Sequence, residues 1–243
     1  LYMPVEEKLL NANYVKVMFV NFAVSFAFYL LAPLLPLYLS ETFNASKDII
    51  GLVLSGYTIT ALICRPFSGY IVDSFPRKMV LEICLLVYFL FFLGYLIAGS
   101  LLVFAIFRTL HGGPFGASTV VNSTMAIDVS YPSRRKEAIG YYGLSNNIAT
   151  ALAPTIGIFL YNYCNNFEVL FWVAFIFAGV GLFVGYTIKL FEKQTVNNRS
   201  KLSLDRFFLL RAWTIGVNIA FFGFCFGVIS NYLAIYGQEM LGI

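Results

Sequence analysis

Seven long apolar runs, separated by short polar connections, limit what this chain can fold into. They occupy about 15–39, 49–71, 79–98, 101–127, 138–161, 168–188 and 212–236 of the 243 residues. A helix rises about 1.5 Å per residue, so each run is long enough to cross roughly 30 Å of hydrocarbon. The residues are 60% hydrophobic and only 12% charged, which suits a chain whose solvent is lipid. The expected class is an all-α polytopic membrane protein with about seven transmembrane helices and the lipid bilayer as its first partner. A complete seven-span protein of another fold satisfies the same pattern.

Lysine and arginine then orient the runs. If alternate loops face the cytoplasm, starting with the N-terminus, thirteen bases fall inside: Lys8, Lys16, Arg77, Lys78, Arg134, Arg135, Lys136, Lys189, Lys193, Arg199, Lys201, Arg206 and Arg211. Lys47 alone falls outside, and Arg65 and Arg108 lie in or near spans. The positive-inside rule places the N-terminus in the cytoplasm. The polar start, Glu6–Lys8, leads into a run too long for the h-region of a cleavable signal, so none is expected. The longest polar stretch, 189–211, reads as a basic cytoplasmic linker between a six-span unit over 1–188 and a single span in 212–243.

Several function classes drop out. A net charge of +4 is too small and dispersed for nucleic-acid binding. Cys64, Cys84, Cys164 and Cys225 are far apart, and His111 is the single histidine, so neither a disulfide framework nor a metal site is expected. There is no nucleophile elbow and no phosphate-binding Gly-Lys-Ser/Thr loop. No catalytic residues and no organic cofactor are expected, which argues against an enzyme.

Polar and small residues within and between the runs carry the remaining information. The turn Gly69–Tyr70–Ile71–Val72–Asp73–Ser74–Phe75–Pro76–Arg77–Lys78 joins the second and third spans. Gly69 would let a neighbouring helix approach, Asp73 at the membrane edge wants a partner, and Arg77 and Lys78 anchor the cytoplasmic side. Asp128, Arg134 and Arg135 lie in the loop after span 4, so Asp73 with one of those bases would make a latch. A solvated topogenic loop is the plainer alternative. Span 1 carries Tyr29, Pro33 and Pro36, and proline in mid-span frees carbonyls and kinks the helix. Arg108 sits about seven residues into span 4, where a charge is costly, followed by Gly112 and Gly116 on one face. It would need a water-filled cavity, a carbonyl cluster or a carboxylate, or else snorkel to the outer interface. His111, one turn on, reads as a packing histidine rather than a relay. Span 5 has a stripe of small residues, Ala149, Ala153 and Gly157, with Pro154 bending the helix. Asn146 and Asn147 are candidate buried amides.

Taken in order, these segments resemble the major facilitator superfamily. The turn is similar to its signature loop G-x-x-x-D-[RK]-x-G-[RK]-[RK], matched at Gly69, Asp73, Arg77 and Lys78, with Ser74 and Pro76 departing from it. Arg108-x-x-x-Gly112-x-x-x-Gly116 resembles the fourth-helix motif, whose arginine is linked to proton exchange in antiporters. The stretch 149–158 looks like a form of the fifth-helix antiporter motif with Ala149, Ala153 and Ile158 in place of glycines. The proline-rich stretch in span 1 resembles the first-helix motif of the drug:proton antiporter branch.

The resemblance implies a six-helix N-terminal bundle, itself a 3+3 inverted repeat, plus the first helix of a second bundle whose remainder is missing from the sequence. It implies a proton-coupled exporter of a small amphipathic molecule in a bacterial inner membrane, working by alternating access and driven by a proton gradient. Asn21, Ser25, Tyr29, Arg108, Thr119, Asn122, Asn146 and Asn147 would line the cavity. Asp73 would latch to a helix of the missing C-terminal half. Alternatives are an importer of a small anion or sugar, with Arg108 as counter-charge, and a truncated, transport-incompetent membrane partner protein.

Overall fold

The structure, a computed structural model, describes residues 9–190 and 213–236, with side chains of the last helix as far as Cys225. The helices are α1 (Ala12–Leu31), α2 (Leu35–Phe43), α3 (Lys47–Ser74), α4 (Arg77–Ile97), α5 (Leu101–Asp128), α6 (Arg135–Cys164), α7 (Phe167–Tyr186) and α8 (Trp213–Tyr236). One 3₁₀ turn, Pro132–Arg134, precedes α6. The described residues contain no strand. The chain divides into two units, Leu1–Asn198 and Arg199–Ile243. That division falls inside the stretch expected as a linker, of which residues 191–211 lie outside the described residues, as do Glu6–Lys8 and the tail after Tyr236.

Within the first unit the seven helices make six spans, because α1 and α2 are one span broken at Pro33. The Ala32 amide still bonds to the Phe28 carbonyl, but Pro33 has no N–H to continue the ladder. Leu34 turns back to the Leu31 carbonyl, and Pro36 then occupies the first turn of α2, where a missing N–H is harmless. Pro66, Pro114 and Pro154 lie inside α3, α5 and α6, which continue through them. Helix ends are set by side chains: Asn11 accepts from the Tyr14 amide and Asn166 from the Glu168 amide. Asn44 and Asn165, both left-handed at φ 50° and 48°, close α2 and α6.

By length and hydropathy together, α1, α3, α4 and α7 qualify as membrane-crossing helices. α5 and α6 are as long or longer, at 28 and 30 residues, or about 42 and 45 Å. They carry more polar groups, of which Arg108, His111, Ser118, Asn122 and Ser145 are buried in the bundle. α1 is the most enclosed helix and touches α5, α6 and α7.

Close packing is concentrated where small residues face backbone. A Cβ on Gly112 would overlap the Tyr57 carbonyl oxygen, and one on Gly116 would lie 2.5 Å from the Ala61 carbonyl oxygen. Helices α3 and α5 therefore meet backbone to backbone. Gly157 meets the Leu30 carbonyl oxygen at 2.5 Å in the same sense, and Ala149 and Ala153 are fully buried on the same face of α6. Around these seams Phe26 stacks on Phe177 and Phe89 on Phe175, each at 4.2 Å between centroids. Gly69 differs from expectation: no described atom lies within 4 Å of a Cβ placed there, so the helix approach expected at the turn is not made within this unit. The second unit has α8, a single apolar helix in which the Asn218 amide donates to the Thr214 carbonyl one turn back.

Candidate functional site

Two sets of polar residues stand out, one inside the bundle and one at its basic end. The interior set centres on Arg108, the eighth residue of α5. Its side chain is only 4% exposed, so it neither snorkels nor opens onto a cavity within this unit. The guanidinium carbon lies 4.1 Å from the Tyr57 ring centroid and 5.5 Å from that of Phe28, and Nη1 donates to the Tyr95 hydroxyl at 3.3 Å. Aromatic faces are the charge's main compensation, and no ion pair to a described carboxylate is formed. Phe28 stacks on both Tyr57 and Phe115, at 5.0 and 4.9 Å, and so covers the group.

His111 completes the cluster. Its Nδ1 is 2.7 Å from the Tyr95 hydroxyl, and its ring packs against Phe91, Tyr88 and Phe92. Three buried polar atoms here have no partner among the described residues: Tyr57 Oη, Arg108 Nε and His111 Nε2. A cation surrounded by unfilled polar positions is costly in a bundle core.

About four turns further along α5, toward its C-terminal end, α1, α5 and α6 are joined by a hydrogen-bonded seam. Asn21 Nδ2 donates to Ser145 Oγ at 2.9 Å, and the Tyr142 hydroxyl donates to Asn21 Oδ1 at 2.9 Å. Asn122 Nδ2 donates to the Val17 carbonyl and more weakly to Tyr142. Ser25 Oγ donates to Asn146 Oδ1 at 2.8 Å. Asn21, Ser25 and Asn122, expected to line a cavity, are instead buried between helices, because an amide in a membrane bundle is most cheaply satisfied by a neighbouring helix. Thr119 bonds back to the Gly116 carbonyl and is half-buried, as is Tyr29, whereas Asn147 is exposed on α6. Tyr142, Tyr57, Tyr95 and Phe28 were not among the expected site residues. Their signal was present: tyrosines inside apolar runs, with Tyr88 and Tyr95 seven apart on one face, each needing a hydroxyl partner.

At the basic end the expected latch forms with different members. Arg77, at the start of α4, pairs through Nη1 with the carboxylate of Asp128, the last residue of α5. Asp128 is only 13% exposed and sits at a helix C-terminus, where the dipole disfavours an anion, so the nearest base is drawn to it. Asp73 stands 3.7 Å from Arg77 with its side chain 77% exposed. Arg134 is taken by Glu137, within its own helix start, at 2.8 Å, so it does not pair with Asp73. Arg135, half-buried, makes no described ion pair with Asp73 either. Lys78 pairs with Glu82 at 3.6 Å. The start of α4 and the end of α5 are thus tied to each other directly. The same end holds Lys16, Lys136 and Lys189, while the opposite end has Lys47.

Sequence and structure comparisons agree with this architecture. A family model described as Major Facilitator Superfamily matches residues 17–243. The chain is 26% identical over 235 residues to an uncharacterized MFS-type transporter, YhhS, of Escherichia coli, covering 93% of this chain and 57% of that protein. It is 24% identical over 151 residues to the staphylopine export protein of Staphylococcus aureus, covering 62% and 38%. Among solved structures, a peptide transporter POT in complex with sulfate superposes with a TM-score of 0.68 at 16% identity, over 89% of this chain and 46% of that one. The human organic anion transporter MFSD10 gives 0.61 at 21% identity, over 72% and 47%. The chain spans about half the length of these relatives. With its six-span first unit, its broken first span and the matched family model, the chain belongs to the major facilitator superfamily.

Proposed function

We propose that this chain supplies the first half of a secondary active transporter that exports a small amphipathic molecule in exchange for protons, by alternating access. The observation that carries the reading is Arg108: a cation buried in α5 with no described acid partner, held only by Tyr95 and by aromatic faces. An uncompensated charge of this kind responds to any anion, proton or water that enters its surroundings, which is what coupling requires. The relatives that include an export protein support the direction, and the basic end supports a cytoplasmic N-terminus in a bacterial inner membrane. The half-buried Tyr29 and Thr119 and the exposed Asn147 are the residues we assign to the substrate cavity, with the second half completing it.

The test is transport by the full-length protein in proteoliposomes under an imposed pH gradient. Arg108→Ala should abolish gradient-driven export while membrane insertion stays near normal. Arg108→Lys keeps the charge but loses the planar fork, and should restore little. Normal export by Arg108→Ala would reduce the residue to a packing cation. A second reading, uptake of a small anion, is favoured by the unpartnered Arg108 Nε, His111 Nε2 and Tyr57 hydroxyl. Under that reading Arg108→Ala would raise the anion's KM, and uptake would persist without a pH gradient.

A further inference from the structure

Opposite the basic end, the first unit has an open cavity of about 490 Å³ that the transport reading does not use. It opens between the closing turns of α2 and α6, the end of α4 and the first turn of α7. Its walls include Tyr38, Tyr95, Tyr161 and Phe171, and its rim carries Glu41 and Glu168. The volume is in the range that small organic ligands occupy.

Three features of the lining point the same way. Glu41 and Glu168 are both exposed, and Glu41 is oriented by the Tyr161 hydroxyl, which donates to it at 3.1 Å. Asp48 lies at the same end, where Lys47 is the single described base, so the local field is negative. The wall is aromatic: Tyr38 meets Phe171 edge-on at 5.1 Å, and Tyr95 lies 5.7 Å from Phe171. Ring faces beside carboxylates are the surroundings that attract an organic ammonium ion. Finally, Tyr38 is 9% exposed and lines the cavity, yet its hydroxyl makes no hydrogen bond to any described residue. A hydroxyl that faces open space, on a side chain otherwise packed in the wall, is a position for a ligand's polar atom. A metal ion is the poorer match, because no group of three or more potential ligands gathers among the described residues.

We infer that this cavity is a binding site for an organic ammonium ion, separate from the substrate path, with Glu41 and Glu168 supplying charge and the aromatic wall of Tyr38, Tyr161 and Phe171 supplying apolar contact. The tyrosine at its floor, Tyr95, is the one that accepts from Arg108, so an occupant would sit one hydrogen bond away from the interior cation.

The test is calorimetric titration of the purified full-length protein with benzyltrimethylammonium. Saturable binding is expected, weakened about tenfold or more in the Glu41→Gln/Glu168→Gln double variant, since two carboxylates flanking one cation act at short range. Both side chains are exposed, so the variant should unfold at the same temperature as the parent, and this is checked in parallel. Tyr38→Phe should weaken binding of choline, which has a hydroxyl, more than that of benzyltrimethylammonium. Equal affinity in parent and double variant would overturn the inference and place the probe elsewhere, such as the transport cavity. Absence of saturable binding would overturn it as well. Neither result bears on the Arg108 experiment, which reads proton-driven export.

Discussion

Tyr142 shows how a single hydroxyl organises three helices. It donates to Asn21 on α1 and accepts from Asn122 on α5, while its own carbonyl takes the Ser145 hydroxyl one turn on. Replacing it with phenylalanine leaves both amides short of a partner in a bundle that water does not easily reach. Tyr142→Phe should therefore destabilise the protein by about 0.6–2 kcal/mol, the span of interhelical hydrogen bonds in membranes, read as a lower unfolding temperature in detergent. Ser145→Ala removes one acceptor at the edge of the same seam and should cost less. An unfolding temperature unchanged in Tyr142→Phe would mean the seam is satisfied by water. Arg108, about four turns away along α5, obeys the same logic at higher stakes, because its charge has only ring faces and one hydroxyl among the described residues to meet it.

At the scale of elements, the small-residue stripes decide which helices touch. Gly116→Leu would drive a side chain into the Ala61 backbone, which cannot swing aside, so α3 and α5 must separate. The cost of such overpacking is about 1–3 kcal/mol or more, and reduced yield of folded protein is the expected outcome. Gly69→Leu meets open space in this unit and should be mild by the same measurement. The contrast separates residues that were equally glycine in the sequence. Lengths and ends of the spans were legible there, since apolar runs and caps are local; so was the break at Pro33, because a missing N–H is a property of the residue itself. Which face of each helix turns inward was less legible. Asn21, Ser25 and Asn122 read as cavity residues from their polarity alone, but a polar side chain in lipid is satisfied equally by a substrate path or by another helix. Only the packing of α1 between α5, α6 and α7 tells which. The aromatic enclosure of Arg108 was hidden for a related reason: its members come from α1, α3, α4 and α5 and have no spacing in common.

At the scale of the whole molecule, the charge asymmetry of the bundle predicts its orientation. A cysteine placed at Thr42 or Asn165 should react with a membrane-impermeant maleimide added to intact cells, and one at Ser133 should be protected until the cells are opened. The reverse pattern would invert the bundle. With that orientation, the turn between α3 and α4 faces the cytoplasm, and its Arg77 meets two carboxylates in different situations. Asp128 is largely shielded and committed to Arg77, an intra-bundle tie. Asp73 is mostly exposed and only loosely held by the same arginine, which leaves its carboxylate available to a partner beyond this bundle. If that partner is the N-terminus of a helix in the second half, closure of the cytoplasmic side is stabilised by a dipole contact of about 0.3–1 kcal/mol. Asp73→Asn in the full-length transporter should then shift the balance toward the inward-open state about two- to five-fold, read by the accessibility of a cysteine at position 29. Asp128→Asn acts on a different contact. It releases Arg77 and loosens the tie between the ends of α4 and α5, so it should lower the unfolding temperature where Asp73→Asn does not. An Asp73→Asn protein with unchanged accessibility at position 29, alongside a destabilised Asp128→Asn protein, would leave the turn as a brace within one bundle and remove it from the gating of the other.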